Sequence, residues 1–264
     1  MSITALTFPG LEEPTPTPPP AARPAPTVAY ESEHGTVYHG HAEDLLPLLP
    51  TESFDLIATD PPYGVDWQSG RRAEKFDLIE NDGAADRDTI KGIIGHCVRL
   101  VRQQRHLYVF GPEDVLEGQK VSDVVELIWD KGTMNGGNVR APWGPQHERI
   151  NFTVSKHRHA GKAGQPVLPT RMRKGSILAY TRPTGTAVRH QSEKPVPLMR
   201  ELIESSSRQG ETVLDPFGGV LSTAVAAVVS GRRFVTIESN LRNVEVGIER
   251  IEKAARLAEQ LRAL

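Results

Sequence analysis

Seven short runs of β-branched, aromatic and aliphatic residues constrain this chain more than any other feature. They lie at residues 37–40, 54–59, 107–110, 124–129, 150–154, 212–215 and 234–238. Most are continuously apolar, the pattern of parallel strands covered on both faces. Residues 150–154 differ. There Ile150, Phe152 and Val154 alternate with Asn151 and Thr153, which predicts an antiparallel or edge strand. Helical stripes lie between the runs. Leu198, Met199, Leu202 and Ile203 share one face, and residues 220–230 are nearly all small and apolar, as in a buried helix. Val244, Ile248, Ile251, Ala255 and Ala258 continue one stripe to the C-terminus. The expected fold class is α/β: a doubly wound, mostly parallel seven-stranded sheet with ligands at the carboxyl ends of its strands.

A chain of 264 residues can bury the core of one large α/β domain or of two small ones. No apolar run approaches the roughly 18 residues of a membrane span. The N-terminus lacks a basic stretch followed by an apolar one, so no secretory signal is expected. The single cysteine, Cys97, rules out an intramolecular disulfide and a Cys-cluster zinc site. The expected setting is a reducing cytoplasm. Cys97 sits in an apolar-periodic stretch, residues 93–99, and reads as core. Eight prolines in residues 9–26 mark an extended tail, with the folded part starting near Val28.

Charge is unevenly placed. Residues 149–190 hold nine Lys and Arg and no Asp or Glu, leaving 22 basic against 33 acidic residues elsewhere. Like charges this dense repel unless something anionic neutralises them, and a phosphate backbone does so with counterion release. The stretch reads as a nucleic-acid surface, against the alternative of a solvated basic loop.

Two constellations carry chemistry. Asp60-Pro61-Pro62-Tyr63 follows the apolar run at residues 54–59. Two prolines end a strand and lock the backbone. The turn then presents a carboxylate, a rigid carbonyl and an aromatic ring, a set suited to an exocyclic amine on a flat ring. Such an amine is a poor nucleophile because its lone pair is delocalised. The Asp60 carboxylate and the Pro61 carbonyl can accept both N–H bonds, favour a tetrahedral nitrogen and stabilise the developing charge. Tyr63 can stack on the base. The second constellation is Val213-Leu214-Asp215-Pro216-Phe217-Gly218-Gly219, a strand running through a glycine turn into a helix. About twenty residues later another strand ends in Glu238, whose carboxylate can accept both hydroxyls of a ribose. The loop lacks the G-x-x-x-x-G-K-[ST] and G-x-G-x-x-G patterns, which disfavours triphosphates and dinucleotides.

Together these segments resemble the beta-class amino DNA methyltransferases that use S-adenosylmethionine. The catalytic turn comes first and the cofactor loop last, as in that class. The resemblance runs from about residue 37 to 257. It takes in Trp129-Asp130-Lys131-Gly132, His147-Glu148 and Ser192-Glu193-Lys194-Pro195-Val196-Pro197-Leu198. It implies a Rossmann-like fold with a small basic target-recognition insertion at residues 156–190. That insertion separates a catalytic half (28–155) from a cofactor half (191–264), after a tail at residues 1–27. It implies that Asp60, Pro61, Pro62 and Tyr63 hold the target base. Asp215, Pro216, Phe217, Gly218 and Gly219 would line the methionine end of the cofactor and Glu238 its ribose, with Lys194 and Pro195 packed beside it. Lys156, Arg158, Lys162, Arg171, Arg173 and Lys174 would face double-stranded DNA. The implied reaction is methylation of adenine N6 in a flipped-out base, in a restriction-modification setting. A homodimer and a restriction endonuclease partner also follow from the resemblance as options.

The chain departs from the family's pattern in two places. Leu221 stands where the cofactor loop usually has a glycine, and a side chain there is expected to crowd the cofactor or shift the turn. His41 stands where an acid often contacts the adenosine base, with Glu43 and Asp44 as nearby substitutes. Three alternatives remain open: cytosine-N4 methylation, a DNA-binding relative that has lost catalysis, and a protein amide N-methyltransferase. No metal is expected, because His147-Glu148 lacks the second histidine of H-E-x-x-H. His157 and His159 read as part of the phosphate-facing surface. Residues 66–91 read as a polar loop.

Overall fold

A computed structural model of the chain describes residues 23–62, 87–133, 140, 142–155, 174–183 and 193–262. Nine strands form one mixed sheet: β1 (Thr27–Ser32), β2 (Gly35–His39), β3 (Phe54–Thr59), β4 (Val101–Phe110), β5 (Val125–Asp130), β6 (His147–Val154), β7 (Ile177–Ala179), β8 (Thr212–Asp215) and β9 (Arg233–Glu238). Their order is β1-β2-β9-β8-β3-β4-β6-β5-β7. The run from β2 to β4 is parallel throughout. β6 is antiparallel to β4 and β5, as its alternation predicts.

The count of nine corrects the seven expected. The two additional strands sit at the edges, β1 against β2 and β7 against β5. β1 is mostly exposed and mixes polar with apolar residues. β7 has three residues, too few to show a periodicity. Backbone pairing with a neighbour holds both. β7 also lies inside the basic stretch, so part of the expected recognition insertion belongs to the sheet.

Alternate side chains of the central strands enter two cores. Leu56, Ala58, Tyr108, Phe110 and Val213 pack with α3 (Val196–Ser206), α4 (Ser222–Val229) and α5 (Leu241–Arg262). Ile57, Leu107, Val109 and Leu214 pack on the other face with α1 (Ala42–Leu45) and α2 (Arg87–Leu100). Continuous apolar strands therefore report a sheet covered on both sides. α2 begins at Arg87, so the loop expected over residues 66–91 gives way to helix in its last five positions. Cys97 is fully buried in the second core, and burial pushes its thiol pKa up. Among the described residues no helix is long and apolar enough to cross a membrane.

At the amino ends of the central strands Asp55 is ion-paired to Arg102 and, at 3.4 Å, to Arg105, and accepts the Thr212 backbone N–H at 2.9 Å. This clamp ties β3, β4 and β8 together. At their carboxyl ends β3 and β8 are neighbours whose chains leave in opposite directions, β3 toward β4 and β8 toward β9. A crevice opens at such a switch point.

Candidate active site

Parallel pairing of β3 with β8 brings together the two chemical segments. Thr59, the last residue of β3, donates its hydroxyl to Asp215 Oδ1 at 2.8 Å. The Thr223 hydroxyl donates to Asp215 Oδ2 at 2.6 Å, and the Phe217 N–H donates to Oδ1 at 3.1 Å. Burial pushes the Asp215 pKa up to about 6, and the three donors hold down only part of that rise. Pro216 is buried behind it.

The glycine turn is shaped by close approach. Gly218 donates its N–H to the Ile237 carbonyl at 2.9 Å, and a Cβ there would stand 2.4 Å from the Thr236 hydroxyl. Only glycine lets the turn lie this close to β9. Gly219 has a φ of 52° and meets nothing within 4 Å of an added Cβ. Its N–H donates to Glu238 Oε2 at 2.7 Å, while Glu238 Oε1 accepts the Asn240 N–H at 2.8 Å. Burial raises the Glu238 pKa against these bonds.

Leu221 answers the expected crowding differently. It adopts the left-handed region, φ 60° and ψ 36°, at the N-cap of α4 and is fully buried. A Cβ placed on Gly247 of α5 would lie 2.2 Å from Leu221 Cγ. The leucine thus fills a notch that a glycine on another helix leaves for it. At the other departure, Glu43 is ion-paired to Arg23, and Asp44 keeps a buried carboxylate oxygen with no hydrogen-bond partner.

Asp60 follows β3, and Lys194 is ion-paired to its Oδ2. Lys194 is buried and also stands 3.2 Å from Glu148 Oε2. Its ammonium lies 5.0 Å from the Phe110 ring centroid and 6.0 Å from that of Trp129. Glu148 is in turn 2.6 Å from Lys131. Burial raises the Glu148 pKa, but Lys194 and Lys131 outweigh it and hold the carboxyl below its usual range. Desolvation likewise disfavours the Lys194 charge, and Asp60 with Glu148 reverses the balance, leaving its pKa raised. Pro61 is buried and Pro62 half-buried. Pro195 caps α3. Glu193 meets Arg250 at 2.7 Å, and Arg250 also donates to the Val220 carbonyl. Residues 193–195 therefore join the Asp60 turn to the start of α4.

The resemblance puts Lys194 beside the cofactor, and the structure pairs its ammonium with Asp60 and Glu148. Sequence reasoning gave no role to Glu148, Lys131, Thr59 or Thr223. The register of β5 with β6, which sets Trp129 opposite Glu148 at the carboxyl edge, is the signal that finds Glu148 and Lys131. Tyr63, Lys156, Arg158, Lys162, Arg171 and Arg173 lie outside the described residues. Lys174 is ion-paired to Glu201 of α3, and Arg149 to Glu126 of β5, so acids from outside the basic stretch neutralise part of it.

A doubly wound sheet with carboxylates ringing its switch point defines an α/β enzyme with a ligand crevice at that edge. Residues 54–249 match the N6/N4 methyltransferase family model, described as DNA methylase, and the chain belongs to that family. It is 27% identical over 267 residues to the DNA adenine methyltransferase YhdJ of Escherichia coli (strain K12), covering 88% of each chain. Its fold matches the M1.HpyAVI–SAM complex with a TM-score of 0.61 at 20% identity, over 82% of this chain and 98% of that one. It matches the cytosine-N4-specific PvuII DNA methyltransferase equally well, with a TM-score of 0.61 at 15% identity, over 90% of this chain and 96% of that one.

Proposed function

We propose that the chain transfers a methyl group from S-adenosylmethionine to the N6 amine of an adenine flipped out of double-stranded DNA. The observation that carries this reading is the meeting of Asp60 and Asp215 at one crevice, joined through the Thr59–Asp215 hydrogen bond. The crevice fits the cofactor. Gly219 leaves open space on its outer side. Asp215 faces the turn where a methionine ammonium would sit, and Glu238 ends the next strand, where a ribose would sit. Asp44, three residues beyond His41, keeps an unpartnered carboxylate oxygen that would accept the adenosine amine in its place. When bound, the cofactor supplies an electrophilic methyl on a sulfonium.

The chain does the rest. Pairing occupies the amine in the duplex, so the base must leave the stack. Asp60 and the Pro61 carbonyl accept its N–H bonds and localise the lone pair, and Tyr63 stacks on the ring. The nitrogen attacks in line as the carbon–sulfur bond breaks, with no covalent enzyme intermediate. Trp143 is exposed just ahead of β6 at the same edge and offers DNA a further aromatic face. Residues 156–190 would supply recognition, between the two halves of the methyltransferase domain. The same reading has the protein working in the cytoplasm on short sites, with a second copy or a restriction endonuclease as partner.

Adenine is favoured over cytosine because the family leans toward Asp for adenine at position 60 and toward Ser for cytosine. The greater identity to an adenine methyltransferase points the same way. Tritium transfer from labelled cofactor to DNA, followed by nucleoside analysis, tests both steps. N6-methyladenine is expected; N4-methylcytosine alone overturns the choice of base, and unlabelled DNA overturns the function.

A further inference from the structure

We propose that Lys194 is the positioning residue for the Asp60 carboxylate, and that Glu148, backed by Lys131, sets how much of the lysine's charge Asp60 receives. The inference rests on the methyl-transfer reading for its kinetic consequences and on geometry alone for its electrostatic ones.

Four charged groups form a chain across the crevice: Asp60 to Lys194, Lys194 to Glu148 at 3.2 Å, and Glu148 to Lys131 at 2.6 Å. They come from four elements, the ends of β3, β5 and the start of β6, and the entry to α3. Asp130, Asp215 and Glu238, at the ends of β5, β8 and β9, are further carboxylates on this edge. Lys194 is fixed from both directions. Its backbone is held between the Glu193–Arg250 pair and the Pro195 cap. Its ammonium is held over the faces of Phe110 and Trp129.

A buried ammonium facing one carboxylate would bind it tightly and cancel it. Facing two, it orients Asp60 while leaving that carboxylate able to accept the amine. The arrangement also covers the proton. Once methylated, the nitrogen releases a proton to an Asp60 oxygen, and the N–H electron pair stays on nitrogen. Asp60 becomes neutral, and Lys194 keeps Glu148 as its counter-charge until Asp60 returns the proton to solvent. A lysine packed only against the cofactor would do none of this.

Glu148→Gln and Lys194→Met in the full chain pull Asp60 in opposite directions. With Glu148 neutral, Lys194 keeps Asp60 and loses its second carboxylate, and Lys131 loses its counter-charge. Turnover should fall ~10-fold, and the acid limb of the kcat–pH profile should move to lower pH. With Lys194 removed, turnover should also fall, but the acid limb should move to higher pH, and Lys194→Arg should restore part of the rate. Cofactor affinity should stay within about twofold in all three. Carbon-13 NMR titration of the cofactor-free chain reads the same effect without catalysis. Asp60 should titrate lower in Glu148→Gln and higher in Lys194→Met, and Glu148 should titrate higher in Lys194→Met. Unmoved Asp60 titration, or lost cofactor binding with an unmoved acid limb, overturns the proposal. Shifted titrations in a chain that methylates no DNA leave it standing and overturn the methyl-transfer reading instead. If Lys194→Met does not fold, Glu148→Gln and Lys194→Arg decide by the same readouts.

Discussion

The carboxylates at the two sides of the crevice are satisfied by opposite means. Asp215 and Glu238 are wrapped in neutral donors: two threonine hydroxyls and a backbone N–H for the first, two backbone N–H groups and the Asn243 side-chain amide for the second. Asp60 and Glu148 are held by lysines. Neutral donors fix a carboxylate in place but do not cancel its charge, so burial dominates and both pKa values rise. Ammonium partners bring a Coulombic attraction that outweighs burial, and the Glu148 pKa falls. Under the proposed function, the first side would receive a cationic ligand without moving. The second is already neutral overall, and an incoming base perturbs it by competing for Asp60.

The largest effect is expected at the charged side. Asp60→Ala should lower single-turnover tritium transfer by on the order of 10²–10³ and leave cofactor binding nearly unchanged. Unchanged turnover would abolish the distinction between the two sides. At the neutral side, Asp215→Ala strips the partner from two hydroxyls and an N–H. It should cost about 1–3 kcal/mol in urea unfolding and remove the cofactor-induced thermal shift.

Gly247→Ala probes the packing beneath the glycine turn. The added methyl meets Leu221, so a loss of about 1–3 kcal/mol is expected from overpacking. In a Leu221→Gly background the loss should nearly vanish, and a double-mutant cycle measures the difference.

Titration separates the Asp215 side of the crevice from the sheet interior. His106 is buried against the Ser206 hydroxyl at 2.7 Å, and desolvation, aided by Arg105, lowers its pKa to about 4. Its folded value lies below the unfolded one, so its contribution is present above about pH 6.5 and lost as pH falls toward 4. For Asp215 the folded value lies above the unfolded one. Its contribution is present below about pH 4 and lost as pH rises through about 6. The two slopes oppose each other. His106→Asn should flatten the fall of the melting temperature between pH 6 and 4, and Asp215→Asn should steepen it. Parallel changes in both variants would refute the assignment.

The smallest effect is expected in the basic stretch. Replacing Arg171 and Arg173 with Gln should weaken DNA binding and reduce its salt slope by roughly two. Adding Lys174→Gln should change the slope little, because Glu201 already neutralises that lysine.

Most of the sheet was legible because a strand covered on both faces must be continuously apolar. Residues 54–59 and 212–215 become strands over those same bounds. β1 and β7 were not legible, since an exposed edge and a three-residue strand impose no such pattern. The Asp60 and Asp215 segments were also visible, because prolines and glycines after a strand punctuate the chain whatever surrounds them. The role of Glu148 was not visible. Its neighbours in sequence say nothing of Lys194, which reaches it only through the packing of α3's entry on the sheet.

By itself, the sequence determined which segments are buried strands and helices and where the chain breaks to expose a carboxylate, because burial and backbone restriction act locally. Only the tertiary structure decided that β3 lies beside β8, that Lys194 crosses 134 positions to reach Asp60, and that Gly247 makes room for Leu221. Strand order, ion pairing and packing notches depend on crossovers between distant segments, and no local periodicity carries that information.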